Sequence, residues 1–160
     1  MFRLCAILVS ALLASPALAQ DGVNVVDAYA RVATESAKSA AAFFVIENQG
    51  PTPDRLLNVT ADIAERAELH SNSQDANGVM SMARIEGGIE IPANGSHTLD
   101  RAGDHLMLMG LTRGLRQGDV IRLTLTFERQ GEMVVEVPVD NDRAPGAAPA
   151  MDHTNMQTAP

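Results

Sequence analysis

Val120-Ile121-Arg122-Leu123-Thr124-Leu125-Thr126-Phe127 places an apolar side chain at every second position, and Met133-Val134-Val135-Glu136-Val137-Pro138-Val139 takes up the same alternation after the turn residue Gly131. Successive side chains of a strand point to opposite faces, so a period of two marks a half-buried strand rather than a helix. The pair predicts an antiparallel hairpin with one wet and one dry face. Upstream, the same kind of segment recurs. Val23 to Val32, Ala41 to Glu47, Leu56 to Asp62, Ala67 to Asn72, Val79 to Ile85, Ile89 to Ile91, Ser96 to Leu99 and His105 to Met109 all read as short strands. Turn residues separate them: Gly50, Pro51 and Pro53; Gly87-Gly88; Asn94-Gly95; Gly118-Asp119. Asn94-Gly95 is a hairpin signal. Residues 60 to 67 leave room for one helical turn and no more. Many short strands at roughly 8–12-residue spacing predict a single all-β domain of sandwich type.

Composition narrows the function. The chain has 12 basic and 20 acidic residues, net −8, which lacks the basic footprint of a nucleic-acid binder. One Tyr, four Phe and no Trp leave few rings for stacking on bases or sugars. The core must therefore be largely aliphatic. No Ser sits in a nucleophile elbow, and no other catalytic centre is visible, so an enzyme is not expected.

The first nineteen residues read as a secretory signal: Arg3, then the apolar run Cys5 to Leu13, then Ala17-Leu18-Ala19 before the cut. The run is too short for a retained span, and a protein that is not membrane-embedded is expected. The only cysteine, Cys5, leaves with this leader. Cys5 does not follow a lipobox-like pattern. About 140 residues remain, enough for one substantial core. The expected organisation is a leader over 1–19, a domain over 20–140 and a flexible tail over 141–160, rich in Pro, Ala and Gly.

Without thiolates, the remaining sulfur is thioether. His70 precedes Met82, and His105-Leu106-Met107 follows. Thioether and imidazole together suit copper(I) better than zinc, calcium or magnesium. In a strand, His105, Met107 and Met109 share one face while Leu106 and Leu108 take the core side. Met80 and Met82 share a face in the same way. Asp104, next to His105, is a possible acceptor that would orient an imidazole. His97 stands alone in a polar strand and reads as a surface residue. Met151, His153 and Met156 offer a second, looser donor group in the tail.

Four stretches carry a resemblance: Glu68-Leu69-His70, Gly78-Val79-Met80-Ser81-Met82, Ile89-Glu90-Ile91-Pro92-Ala93-Asn94-Gly95, and His105-Leu106-Met107-Leu108-Met109-Gly110-Leu111. Together they are similar to the periplasmic copper chaperones called PCu(A)C, over roughly residues 24 to 139. The family motif is His, a gap, Met, a longer gap and His-x-Met. Here the gaps run from 71 to 81 and from 83 to 104, each one residue longer than the usual pattern, and Gly87-Gly88 supplies the second extra residue. The resemblance implies a cupredoxin-like Greek-key β-sandwich and copper ligands His70, Met82, His105 and Met107, with Met80 the competing neighbour of Met82. It further implies a periplasmic monomer that hands copper, as copper(I) with copper(II) the alternative, to a respiratory oxidase subunit or its assembly protein. Copper storage or detoxification, and a metal-free interaction module, are the alternative functions. A blue-copper electron carrier would need the Cys ligand that is missing.

Overall fold

The computed structural model describes residues 22–74 and 77–144, and over these the chain is all β. Ten strands follow one another: β1 (Val23–Arg31), β2 (Ser39–Asn48), β3 (Asp54–Ala61), β4 (Ala64–Gln74), β5 (Met80–Arg84), β6 (Ile89–Ile91), β7 (Gly95–Leu99), β8 (Asp104–Leu111), β9 (Val120–Phe127) and β10 (Gly131–Pro138). One sheet runs β1-β2-β8-β4-β5, with β7 pairing the end of β2 that β8 leaves free. The other runs β10-β9-β3-β6. The strand pairs are antiparallel, and the expected β9–β10 hairpin is present in register from Val120↔Pro138 to Phe127↔Gly131.

The two sheets close face to face over an aliphatic core. Ala42, Phe44, Ile46, Leu106 and Leu108 come from the first sheet; Leu56, Ile91, Ile121, Leu123 and Leu125 come from the second, all essentially without solvent exposure. This is the alternation of the sequence made into packing: each buried residue has outward neighbours one position away. Among the described residues no helix is long and apolar enough to cross a membrane.

Two local expectations fail. Residues 60 to 67 make no helical turn: β3 ends at Ala61, Asp62 donates its backbone N–H to Arg122 O, and β4 begins at Ala64. Ile63 is buried at the bend, so the chain gains more by tucking this side chain under the sheets than by coiling. Asn94-Gly95 makes no hairpin either. Asn94 does adopt the left-handed conformation, φ 48°, but β6 pairs with β3 and β7 with β2. The turn is a corner that carries the chain from one sheet to the other. Gly88 behaves as its sequence position suggests. Its φ is +81°, and a Cβ there would lie 2.3 Å from Leu56 O, whereas Gly87 meets nothing. The extra residue of the β5–β6 connection is thus absorbed in a turn, and the flanking strands keep their register.

The last described residues stay on the body. Arg31 Nη2 donates to Asn141 O, and Val32 N–H to Asn141 Oδ1. Arg143 pairs with Asp27, at the β1 bulge, and its guanidinium lies 4.4 Å from the centre of the Tyr29 ring. Met151, His153 and Met156, like the leader expected over residues 1–19, lie outside the described residues.

Candidate metal centre

The outer face of the first sheet, the one turned away from the core, collects the soft donors. Register puts His70 of β4 directly opposite His105 of β8, and their ring centres are 6.0 Å apart. One step along β8, Met107 lies opposite Glu68 on one side and Ala41 on the other. On the far side of the histidine row, β5 places Arg84 opposite His70 and Met82 opposite Asn72. Met82 is therefore a diagonal neighbour of His70, a relation that spans about 7–8 Å and is within reach of a long side chain. Met80 sits one pleat further away, opposite Gln74. The two histidine rings lie side by side, and Met107 follows His105 on the same face of β8; Met82 stands at the margin, 55% exposed.

The histidines are less open than their outward direction suggests. His105 is only 4% exposed. Phe43 lies on one side of it, with ring centres 6.5 Å apart, and His70 on the other. The loop before β8 is tied to this end of β4, because Asn72 donates its backbone N–H to Gly103 O and its Nδ2 to Arg101 O.

Hydrogen bonds fix which nitrogen of each ring is available. His105 Nδ1 lies 3.1 Å from Gly103 O. A carbonyl only accepts, so Nδ1 carries the proton and Nε2 keeps a bare lone pair. His70 is arranged the other way round. Its Nε2 lies 3.1 Å from Glu68 Oε2, so Nε2 donates to the carboxylate. That leaves His70 Nδ1 as a lone pair, and this atom is buried without a hydrogen-bond partner. An unpartnered buried acceptor is costly unless something fills it. A carboxylate behind an imidazole is the usual way to hold a metal-binding histidine in one tautomer.

The carboxyl of Glu68 is held below the usual carboxylate range. The hydrogen bond from His70 is the main cause; partial burial opposes it, and Arg84 and Arg66 reinforce it. Arg84 Nη1 stands 3.8 Å from Glu68 Oε1. Glu68 was not singled out as a site residue by sequence, although residues two apart in a strand share a face and Glu68-x-His70 carries that signal. Asp104, the acceptor suggested for His105, has another partner: its Oδ2 lies 2.9 Å from His97 Nε2. Asp104 and His105 are adjacent in β8 and point to opposite faces. His97, expected to be a solvated surface residue, is instead half-buried in this hydrogen bond.

The tautomer can be checked without any metal. Ring nitrogen shifts of His70 should show Nε2–H as the dominant form in the wild type at pH 7.5. Glu68→Ala should leave a mixture of both tautomers while His105 stays unchanged. An identical His70 spectrum in the variant would show that Glu68 does not orient the ring.

Among the described residues, no three His, Cys, Asp or Glu side chains converge as a metal-binding group. A metal on this face would therefore rely on thioethers beside the two imidazoles, a donor set that selects a soft ion.

A family model described as "Putative lipoprotein LpqE-like" matches residues 23–139, nearly all of the described chain. The chain is 33% identical over 135 residues to "Putative lipoprotein Lxx21020" of Leifsonia xyli subsp. xyli (strain CTCB07), a match covering 84% of this chain and 80% of that one. Two solved structures share the fold. The apo PCuAC domain from PmoF1 superposes with a TM-score of 0.63 at 25% identity, over 74% of this chain and 93% of that one. The solution structure of copper(I)-bound DR1885 from Deinococcus radiodurans superposes with a TM-score of 0.55 at 29% identity, over 72% of this chain and 76% of that one.

Proposed function

We propose, for a chain that belongs to the LpqE-like family, that the face around His70 and His105 carries one copper(I) ion and passes it on to another protein. The observation that carries this reading is the buried, unpartnered Nδ1 of His70, set against the ring of His105 in a neighbourhood whose further donors are sulfur. His70 Nδ1, His105 Nε2 and the thioethers of Met107 and Met82 supply two nitrogens and two sulfurs. All four are neutral, so the ion keeps its charge and is held less tightly than by thiolates. A carrier needs that balance, because copper must leave by ligand exchange. Half-exposed Met82 is the donor a receiving protein can displace first. Its position on an exposed edge strand gives it room to move in and out.

Kinship with proteins described as lipoproteins and the apolar leader expected over residues 1–19 both support a place in the cell envelope; we assign the periplasm. The receiver in this reading is a copper-accepting oxidase subunit or its assembly protein, and the chain itself is a carrier rather than an enzyme.

Native mass spectrometry with copper(I), copper(II) and zinc tests the site. One tightly held copper(I) is expected. Met82→Leu should weaken it by about tenfold, close to 1.4 kcal/mol. Met80→Leu should stay within about threefold of wild type, well under 1 kcal/mol. Equal losses in the two variants would overturn the preference for Met82, and no copper(I) uptake by the wild type would overturn the site. Deleting the gene separates delivery from storage: loss of oxidase activity at low copper supports delivery, and copper sensitivity alone supports storage.

A further inference from the structure

Beside Met107 the outer face dips into a cleft of about 350 Å³. Ala41, Ser39 and Phe43 line it, and Arg31 and Arg101 bring two guanidinium groups to it. Arg31 gets there because it pairs with Ala41, next to Met107 in the same row of the sheet. Arg101 gets there from the loop before β8. Neither has a carboxylate within ion-pair distance among the described residues. Arg31 Nη2 donates to Asn141 O, and Arg101 Nη2 to Arg143 O. Those carbonyls take one nitrogen from each fork and neutralise no charge. Arg101 Nε remains buried with no hydrogen-bond partner. A guanidinium offers five N–H donors in a plane that matches a carboxylate, so most of this capacity is unspent.

The surroundings make the cleft unusual for this protein. The chain is net −8. Yet Arg66 pairs with Met109 and Arg84 with His70 on the same face, and Arg143 covers Tyr29. Two carboxylates of this face are already engaged: Glu68 by His70 and Arg84, and Asp27 by Arg143. Five arginines thus stand around the soft donors, and the two beside Met107 have no carboxylate partner among the described residues.

We propose that this cleft seats an acidic side chain of the copper-accepting protein, clamped by Arg31 and Arg101 while the ion changes hands. The proposal rests on the delivery reading above and adds the chemistry of the partner: carboxylates next to its own copper-receiving donors. The transfer it assists is a ligand exchange. Once Met82 has been displaced, the sulfur–copper bond to Met107 breaks as a bond to a further acceptor donor forms, copper stays copper(I), and no proton or electron moves. Seating an acid there would hold acceptor donors within reach of Met107 and would reject partners of the wrong charge.

Three synthetic peptides sharing a Met-x-x-Met-x-x-Met core and flanked by Asp, Ser or Lys provide the probe. The copper(I)-loaded protein is mixed with each, and transfer is followed at low salt. The Asp peptide should accept copper about tenfold faster than the Lys peptide, a difference of the size electrostatic steering gives. The ratio should shrink towards one in 0.5 M salt, where the screening length is only about 4 Å. Arg31→Gln/Arg101→Gln should abolish the preference while leaving copper(I) affinity unchanged. The net charge of the chain would favour the Lys peptide, so equal rates or a Lys preference would overturn the proposal, as would a full Asp preference in the double variant. A copper-free arm separates this proposal from the delivery reading. The Asp peptide titrated into the apoprotein should shift the amide resonances of Ala41 and Met107 and the Nε–H resonance of Arg101. Silence at all three would overturn the cleft even if copper binds, and shifts without copper uptake would uphold the cleft while the copper site fails.

Discussion

Replacing His70 and His105 together by glutamine should weaken copper(I) binding by about a thousandfold, near 4 kcal/mol, the largest loss expected of any pair of changes on the metal face. The two rings are the only nitrogen donors in the proposed set, and their lone pairs are already sorted: Nδ1 on His70, Nε2 on His105. Glutamine keeps a polar side chain of similar reach on the sheet but offers an amide, a poor ligand for copper(I). Circular dichroism should show an unchanged all-β spectrum, and competition against a copper(I) chelator should show the loss. Near-wild-type affinity in the folded double variant would remove both histidines from the site.

The same donors make affinity fall with acid in the wild type. Protons compete for the two lone pairs, so affinity should fall as pH is lowered, with up to two protons displaced for each ion bound. Thioethers do not titrate, so the drop reads the histidines alone, and a flat profile would take them out of the site. The folded-state pKa of Glu68 is lowered, so the stability it lends is present above the ordinary carboxylate range and is lost only as pH falls through the lower folded value.

Most of the fold was legible because the strands are short and amphipathic. Each segment expected from alternation corresponds to a strand, with ends moved by a few residues. The legibility stops where a local signal has more than one tertiary outcome. Asn94-Gly95 specifies a left-handed turn, but whether the flanking strands pair with each other depends on β3 and β2, which lie far away in sequence. The bend at Asp62-Ile63 depends in the same way on burying Ile63 between layers. In the site, the outward direction of His105 and Met107 followed from the alternation with Leu106 and Leu108. The burial of His105 did not, because its cover comes from Phe43 and His70 on other strands. Glu68 was within reach of the sequence, two residues from His70 on the same face. The Arg31–Arg101 cleft was not, since one arginine ends β1 and the other sits in a loop seventy residues later.

Leu106→Ala should reduce the stability of the copper-free domain by about 3 kcal/mol, within the 2–5 kcal/mol range for a fully buried leucine. Leu106 is without solvent exposure and lies between His105 and Met107 in β8, so it packs the core side of the strand that carries the ligands on its other side. A single domain has only about 5–15 kcal/mol to lose, so the transition should move visibly in urea. The alternation that builds the site separates the two effects. The side chain removed points into the core, and the backbone that aims His105 and Met107 is held by ladder bonds to β4 and β2. Copper(I) affinity of the folded fraction should then stay within about threefold of wild type, under 1 kcal/mol. Binding to the folded state alone adds stability by mass action, about 2.7 kcal/mol at a hundredfold excess over Kd. Copper(I) should therefore return most of what Leu106→Ala removes. It should return nothing to a chain that also carries His70→Gln and His105→Gln. Urea unfolding of both variants, with and without copper(I) under reducing conditions, measures the difference. Equal rescue of the two would place the bound copper somewhere other than the paired histidines.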